Sequence, residues 1–215
     1  MAKQLAKEIG YVYVDSGAMY RAATLYALRH GMTDENTKTV DTDALVKALP
    51  EIKISFALQP DGTQHTMLNG EDVEKDIRGM RVSGMVSPVA VIPAVRHYMV
   101  ALQQEYGKDK GIVMDGRDIG TTVFPDAEMK VFVDASAEVR AQRRYNELME
   151  KGTPADFEEV LANIKERDLI DSTREESPLR KADDAFVLDN DHLTKEEQME
   201  VLKKLYNKIV LNGKN

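Results

Sequence analysis

Three short apolar runs in this chain each stop at an aspartate beside small residues: YVYVDSG at residues 11–17, GIVMDGRDIG at 111–120 and MKVFVDAS at 129–136. Runs of this length, bounded by turn residues, read as buried strands. A fourth, AFVLDN at 185–190, closes the series. Helical periodicities lie between the strands, and such alternation admits few folds. It implies an α/β chain with a mostly parallel sheet covered by helices on both faces.

The helical segments are bounded by recognisable signals. Residues 2–8 are patterned as a helix directly in front of the first strand. After DSG, the periodicity of AMYRAATLYALRHG runs to a glycine stop at Gly31. A short helix at 41–49 is closed by Pro50, and helices are expected at 82–89, at 93–106 with Pro93 in a first helical position, at 136–150, at 156–169 and at 193–207. Between 52 and about 78 the pattern changes to alternation, and the turn signals PDG (60–62) and NG (69–70) divide it into a small antiparallel meander. This segment reads as a lobe inserted in the main fold. There is no internal repeat and no low-complexity stretch.

Composition excludes several classes. No apolar run approaches the roughly 20 residues that a bilayer span needs, and the amino terminus carries no apolar signal core, so a cytoplasmic address is expected. The chain has no cysteine, which removes disulfides, thiolate metal sites and thiol nucleophiles together. A net charge of −8 argues against a general nucleic-acid surface, which needs a positive face. The four histidines, His30, His65, His97 and His192, show no metal-ligand spacing, and the serines lack a hydrolase elbow.

In open α/β sheets ligands bind beyond the carboxyl ends of the strands, where this chain has Asp15, Asp115 and Asp134. DGRDIG is the densest of these segments, with Asp115, Arg117 and Asp118 on a loop that Gly116 and Gly120 are expected to bend. Taken alone it suits a solvated turn as well as a site. Arg21, one turn into the helix after DSG, reads equally as a surface arginine. Arg167, Asp171 and Arg174, at i, i+4 and i+7, read equally as a salt-bridged helix face. A further basic cluster stands at Arg140, Arg143 and Arg144. Tyr20 and Tyr26 suit a core better than cofactor stacking.

Taken in order, DSGAMYR, SPVAVIPAVR, VMDGRDIGTTVFPDA, VFVDAS with RAQRR, and NIKERDLIDSTR resemble the bacterial cytidylate kinases, of the nucleoside monophosphate kinase group. The likeness spans nearly the whole chain. It implies one domain over 1–215 with a P-loop NTPase-like core, a monophosphate-binding lobe near 52–78 and a helical lid near 140–174. It implies transfer of the γ-phosphoryl of ATP to CMP or dCMP with Mg²⁺, in a monomer whose partners are small molecules rather than nucleic acid or membrane.

By the same resemblance, Ser16, Arg21, Ser87, Arg96, Arg117, Asp118, Arg167, Asp171 and Arg174 belong to the CMP site. Arg140, Arg143 and Arg144 belong to the lid over ATP, and Arg117, Asp115 and Arg144 to the transfer itself, with Asp115 reaching magnesium through water. The residue types fit. A carboxylate can accept from the cytosine amino group while an arginine donates to the ring, roles that suit Asp118 and Arg96 with Ser87 assisting. Guanidinium forks of Arg21, Arg117 and Arg174 suit a phosphate dianion, and Asp171 the ribose hydroxyls.

One family element does not occur in these 215 residues. The glycine-rich phosphate loop GxxxxGK[ST] is absent, although glycine–lysine pairs stand at Gly107 and Gly213. Its backbone amides, lysine and hydroxyl hold the ATP phosphates and Mg²⁺. The expectation is a chain with little activity: a sequence started at an internal methionine, or a non-catalytic protein that still binds CMP.

Overall fold

The computed structural model describes residues 1–212, so the Gly213–Lys214 pair lies outside the described residues. In chain order the main elements are α1 (Ala2–Ile9), β1 (Val12–Asp15), α2 (Ser16–Arg29), β2 (Thr33–Asp34), β3 (Thr39–Val40), α3 (Thr42–Ala48), β4 (Ile54–Leu58), β5 (Gln64–Leu68) and β6 (Glu71–Asp72). They continue with α4 (Met80–Ala90), α5 (Pro93–Tyr106), β7 (Ile112–Asp115), β8 (Val131–Asp134), α6 (Ala137–Glu150), α7 (Phe157–Thr173), β9 (Phe186–Asp189) and α8 (Lys195–Tyr206). The chain divides into two compact units, one of Met1–Val14 with Lys110–Asn215 and the other of Asp15–Asp109.

In the first unit, α1 ends where Gly10 turns left-handed (φ 73°), the conformation that glycine adopts without a Cβ penalty. Leu5 of α1 is buried with Leu188, Met199 and Leu202, and Met129 and Val131 pack against them. This one cluster joins α1, α8 and the β8/β9 ladder. α6 and α7 have a separate core of Ala141, Leu148 and Val160, flanked by Phe157 and Ile164. Side chains cap the helices: Ser136 for α6, Asp156 for α7, and a Thr194/Glu197 capping box for α8. Asp134 ends β8, and the cap of α6 falls to Ser136 two residues later.

The strands are flanked by helices as expected, and β8 and β9 run parallel from Val131↔Phe186 to Asp134↔Asp189. They do not form one continuous sheet. β1 neighbours β7, β8 neighbours β9, and no ladder among the described residues joins the two pairs. Apolar patterning marks a segment as a strand but leaves its partner unspecified, so this division was not legible. The strand pairs leave Val12, Val133, Phe186 and Val187 exposed.

The second unit is built on α2. Asp15 accepts a bond from the Ala18 amide at 2.8 Å and starts the helix, which buries Ala18, Met19, Ala22, Ala23 and Ala27. Such small residues allow α4 to pack closely on α2. Pro88 lies inside α4, and α5 starts at Pro93 after a bend of 101°. β4, β5 and β6 form an antiparallel meander whose second turn has both Asn69 (φ 51°) and Gly70 (φ 86°) left-handed, as a two-residue hairpin requires. Among the described residues no single helix is long and apolar enough to cross a membrane.

Leu188 is 3% exposed in the cluster that joins three elements, whereas Leu58 of β4 is 78% exposed. Leu188→Ala should lower the unfolding free energy by roughly 2–5 kcal/mol, and Leu58→Ala should leave it within about 0.5 kcal/mol. Urea denaturation of the two variants checks both values.

Candidate functional site

Strand β7 delivers the DGRDIG loop in the first unit. Asp115 ends the strand with an exposed carboxylate, and the Tyr13 hydroxyl lies 3.1 Å from each of its oxygens. The chain then closes a wide turn over Ile119–Val123, with the Asp118 carbonyl accepting from the Thr122 amide at 2.8 Å and the Val123 amide at 3.3 Å. Asp118 itself is 4% exposed. Gly120, expected to permit a sharp bend, is not left-handed. Its lack of a side chain instead admits Lys130, since a Cβ here would stand 3.2 Å from Lys130 Cδ.

Arg117, Asp171 and Arg174 come together. Arg117 Nε donates to Asp171 Oδ2 at 3.1 Å and Arg174 Nη1 to Asp171 Oδ1 at 2.9 Å, so one carboxylate is shared by two guanidiniums. The Asp171 and Arg174 side chains are 8% and 4% exposed, which rules out a solvated helix face for this pair. The expected i, i+4, i+7 stripe fails at its last member. α7 stops at Thr173, and Arg174 is its extended C-cap (φ −60°, ψ 145°). Its Nε and Nη2 reach the Ser177 carbonyl at 2.9 and 2.8 Å, presented by a left-handed Ser177.

Arg167 lies one turn before Asp171 on α7, half-buried, and its Nε has no hydrogen-bond partner. Burial first, then the positive charges of Arg117 and Arg144, hold its guanidinium below the usual arginine range, against the pull of Asp171 and Asp168.

The three arginines expected in a lid each have a visible partner. Arg140 grips Asp168 with both terminal nitrogens (2.9 and 2.6 Å), and its charged form is favoured by that bond despite burial. Arg143 donates to the Asn190 carbonyl at 2.7 Å. Arg144 pairs with Glu147 at 2.8 Å. Burial opposes the Glu147 charge, but bonds from Lys151 and Arg144 outweigh it and draw the carboxyl below its ordinary range.

The second unit holds Ser16, Arg21, Ser87 and Arg96. Arg96 is 1% exposed; its Nη1 donates to the Ala90 carbonyl at the end of α4, and its guanidinium lies 5.5 Å from the centre of the Tyr20 ring. Tyr20 and Tyr26 are both core residues, Tyr26 stacking on His30. Ser16 and Ser87 are buried. Arg21 is not a loose surface arginine: its Nη1 donates to the Ile77 carbonyl at 3.0 Å and to Ser83 Oγ at 2.9 Å.

Sequence reasoning passed over Ser83, Arg78 and Asp168. Ser83 precedes Ser87 by one helical turn, a spacing that could have marked it. Arg78 bonds Asp15 (2.9 Å) and Glu74 (2.8 Å). Burial works against its charge, yet the two carboxylates together raise its pKa. No local pattern signals a pair formed across 63 residues.

A family model described as cytidylate kinase matches residues 1–209. A protein named cytidylate kinase from Bacteroides fragilis is 60% identical over 98% of this chain and 91% of its own length. One of the same name from Parabacteroides distasonis is also 60% identical with the same coverage. Another from Flavobacterium psychrophilum is 51% identical over 97% of this chain and 92% of its own.

Asp171→Asn removes the buried carboxylate that Arg117 and Arg174 share, and stability should fall by roughly 1.5–3 kcal/mol. Glu147→Gln removes only a partly exposed pairing and should cost about 1 kcal/mol or less. Paired chemical denaturation curves test the contrast; equal losses would show that the Asp171 cluster is no more than a surface pair.

Proposed function

The chain belongs to the cytidylate kinase family, a family of phosphotransferases, and on that premise we propose that it transfers the γ-phosphoryl of ATP to CMP or dCMP, yielding CDP or dCDP. The reaction belongs to pyrimidine nucleotide metabolism, and a cytoplasmic monomer acting as one domain over 1–215 fits it. The segments near 52–78 and 140–174 are then the CMP-binding lobe and the lid.

The observation that best supports this reading is the gathering of three arginines around Asp171. Arg117 and Arg174 share its carboxylate, and burial first, then the charge of Arg117, hold the Arg167 guanidinium below its usual range. A phosphate dianion would relieve that repulsion and offer oxygens to several donors at once. Arg117 and Arg174 serve the phosphate in this reading, a role that the family resemblance also implies for Arg21. Asp171 takes the ribose hydroxyls, with Arg167 beside it. Asp118 accepts from the cytosine amino group, and Arg96 and Ser87 serve the base; Ser16 completes the CMP set. Uracil would turn a carbonyl toward the Asp118 carboxylate, at roughly 1–3 kcal/mol per mismatched group.

Phosphoryl transfer depends on positioning and charge neutralisation more than on a strong base. Arg144, paired with Glu147 on its own helix, is the arginine we assign to the donor phosphate. Arg143, which donates to the Asn190 carbonyl, and Arg140, paired with Asp168, are the other members of the lid set. Mg²⁺ would enter with ATP and supply charge neutralisation there. Asp115 offers one exposed carboxylate at a strand end, which suits an ion held mainly by phosphate oxygens and water.

A second reading has its own observation: GxxxxGK[ST] is absent from these 215 residues. Without that loop the main electrostatic support for the ATP phosphates is lacking, so these residues by themselves should turn over slowly and hold CMP better than ATP. In this second reading the chain binds CMP without catalysing transfer.

Calorimetry and an ADP-release assay on the 215-residue chain separate the two. Both predict measurable CMP binding, with UMP and MgATP much weaker. The kinase reading adds slow, CMP-dependent ADP release that Arg117→Met lowers by roughly 10- to 100-fold, the worth of a lost charged hydrogen bond. Binding with no ADP release supports the second reading, and an absence of CMP binding overturns both.

A further inference from the structure

We propose that Lys130 is a positioning residue for base recognition, acting as a strut that fixes the direction in which the loop presents Asp118. The proposal rests on the reading of Asp118 as the acceptor of the cytosine amino group. Lys130 stands immediately before β8, and its carbonyl accepts from the Phe186 amide at 2.9 Å, so its backbone is fixed to the β8/β9 ladder. Its side chain turns toward the loop. The stem packs over Gly120, where an added Cβ would stand 3.2 Å from Cδ and 3.4 Å from Cγ. The ammonium donates to the Pro125 carbonyl, just past the turn, and to both oxygens of Asp184 at 2.9 and 2.8 Å.

Lys130 thus touches the turn at two places, above Gly120 and at Pro125. Between them the chain folds back onto the Asp118 carbonyl through the Thr122 and Val123 amides. The direction of the Asp118 carboxylate is therefore tied to a ladder that lies outside its own loop.

Stability alone does not explain the residue. The Lys130 side chain is 9% exposed, while its carboxylate partner Asp184 is 65% exposed. Burying an ammonium is costly, and an exposed carboxylate returns little, so an apolar side chain of the same length would serve packing as well or better. What an apolar chain cannot do is hold Pro125 and Asp184 at fixed positions. A loop carrying a base-reading carboxylate needs such support, because recognition falls steeply with small displacements.

Lys130→Met keeps the stem over Gly120 and removes the ammonium. Calorimetric titration of the parent chain and of this variant with CMP and with UMP reads the proposal, alongside urea denaturation. The variant should keep its denaturation midpoint, bind CMP roughly tenfold more weakly, and lose much of its preference for CMP over UMP. Asp184→Asn, on a side chain 65% exposed, should shift the CMP-to-UMP ratio in the same direction by less. If the parent binds CMP selectively and both variants keep the parent ratio, the strut is overturned while the CMP reading stands. If Lys130→Met fails to fold, the Asp184→Asn ratio decides alone. If the parent does not bind CMP, the reading of Asp118 fails first, and the inference falls with it.

Discussion

The chemistry of the first unit turns on one carboxylate held between two guanidiniums. Asp171 accepts from Arg117 on one oxygen and from Arg174 on the other, while Arg167 stands within electrostatic reach with its Nε unsatisfied. A buried carboxylate with a single arginine would be a neutral pair of little functional interest. Here two arginines share the carboxylate and a third stands beside them. The α7 C-terminus places Asp171 and Arg174 three residues apart, and β7 brings Arg117 from 54 residues away.

The three arginines of α6 are each engaged as well. Arg140 is committed by two bonds to Asp168, Arg143 to a carbonyl, and Arg144 to a glutamate on its own helix. Arg144 also contributes to the electrostatic surroundings of Arg167.

Much of the fold was legible because its signals are local. Pro93 marks the start of α5, the Asn69–Gly70 turn sets the β5–β6 hairpin, and strands ending in aspartate were placed within a residue or two. Legibility fails where the deciding partner is distant in sequence. The separation into β1/β7 and β8/β9 pairs, the bond of Arg78 to Asp15 and the grip of Lys130 on the DGRDIG loop each depend on segments brought together only by folding. The site shows the same division. DGRDIG and ERDLIDSTR are visible as motifs, but spacing alone described Arg167, Asp171 and Arg174 as an exposed stripe, because a helix end at Thr173 and a left-handed Ser177 cannot be read from charge periodicity.

If the cationic group around Asp171 exists to receive a phosphate dianion, most of the affinity for the acceptor must reside in its phosphate. Comparing the dissociation constants of CMP and cytidine for this chain, at low and at physiological salt, tests that most directly. The account predicts cytidine weaker than CMP by roughly a hundredfold or more, with a gap that narrows as salt rises. Cytidine binding as tightly as CMP, at either salt, would contradict it.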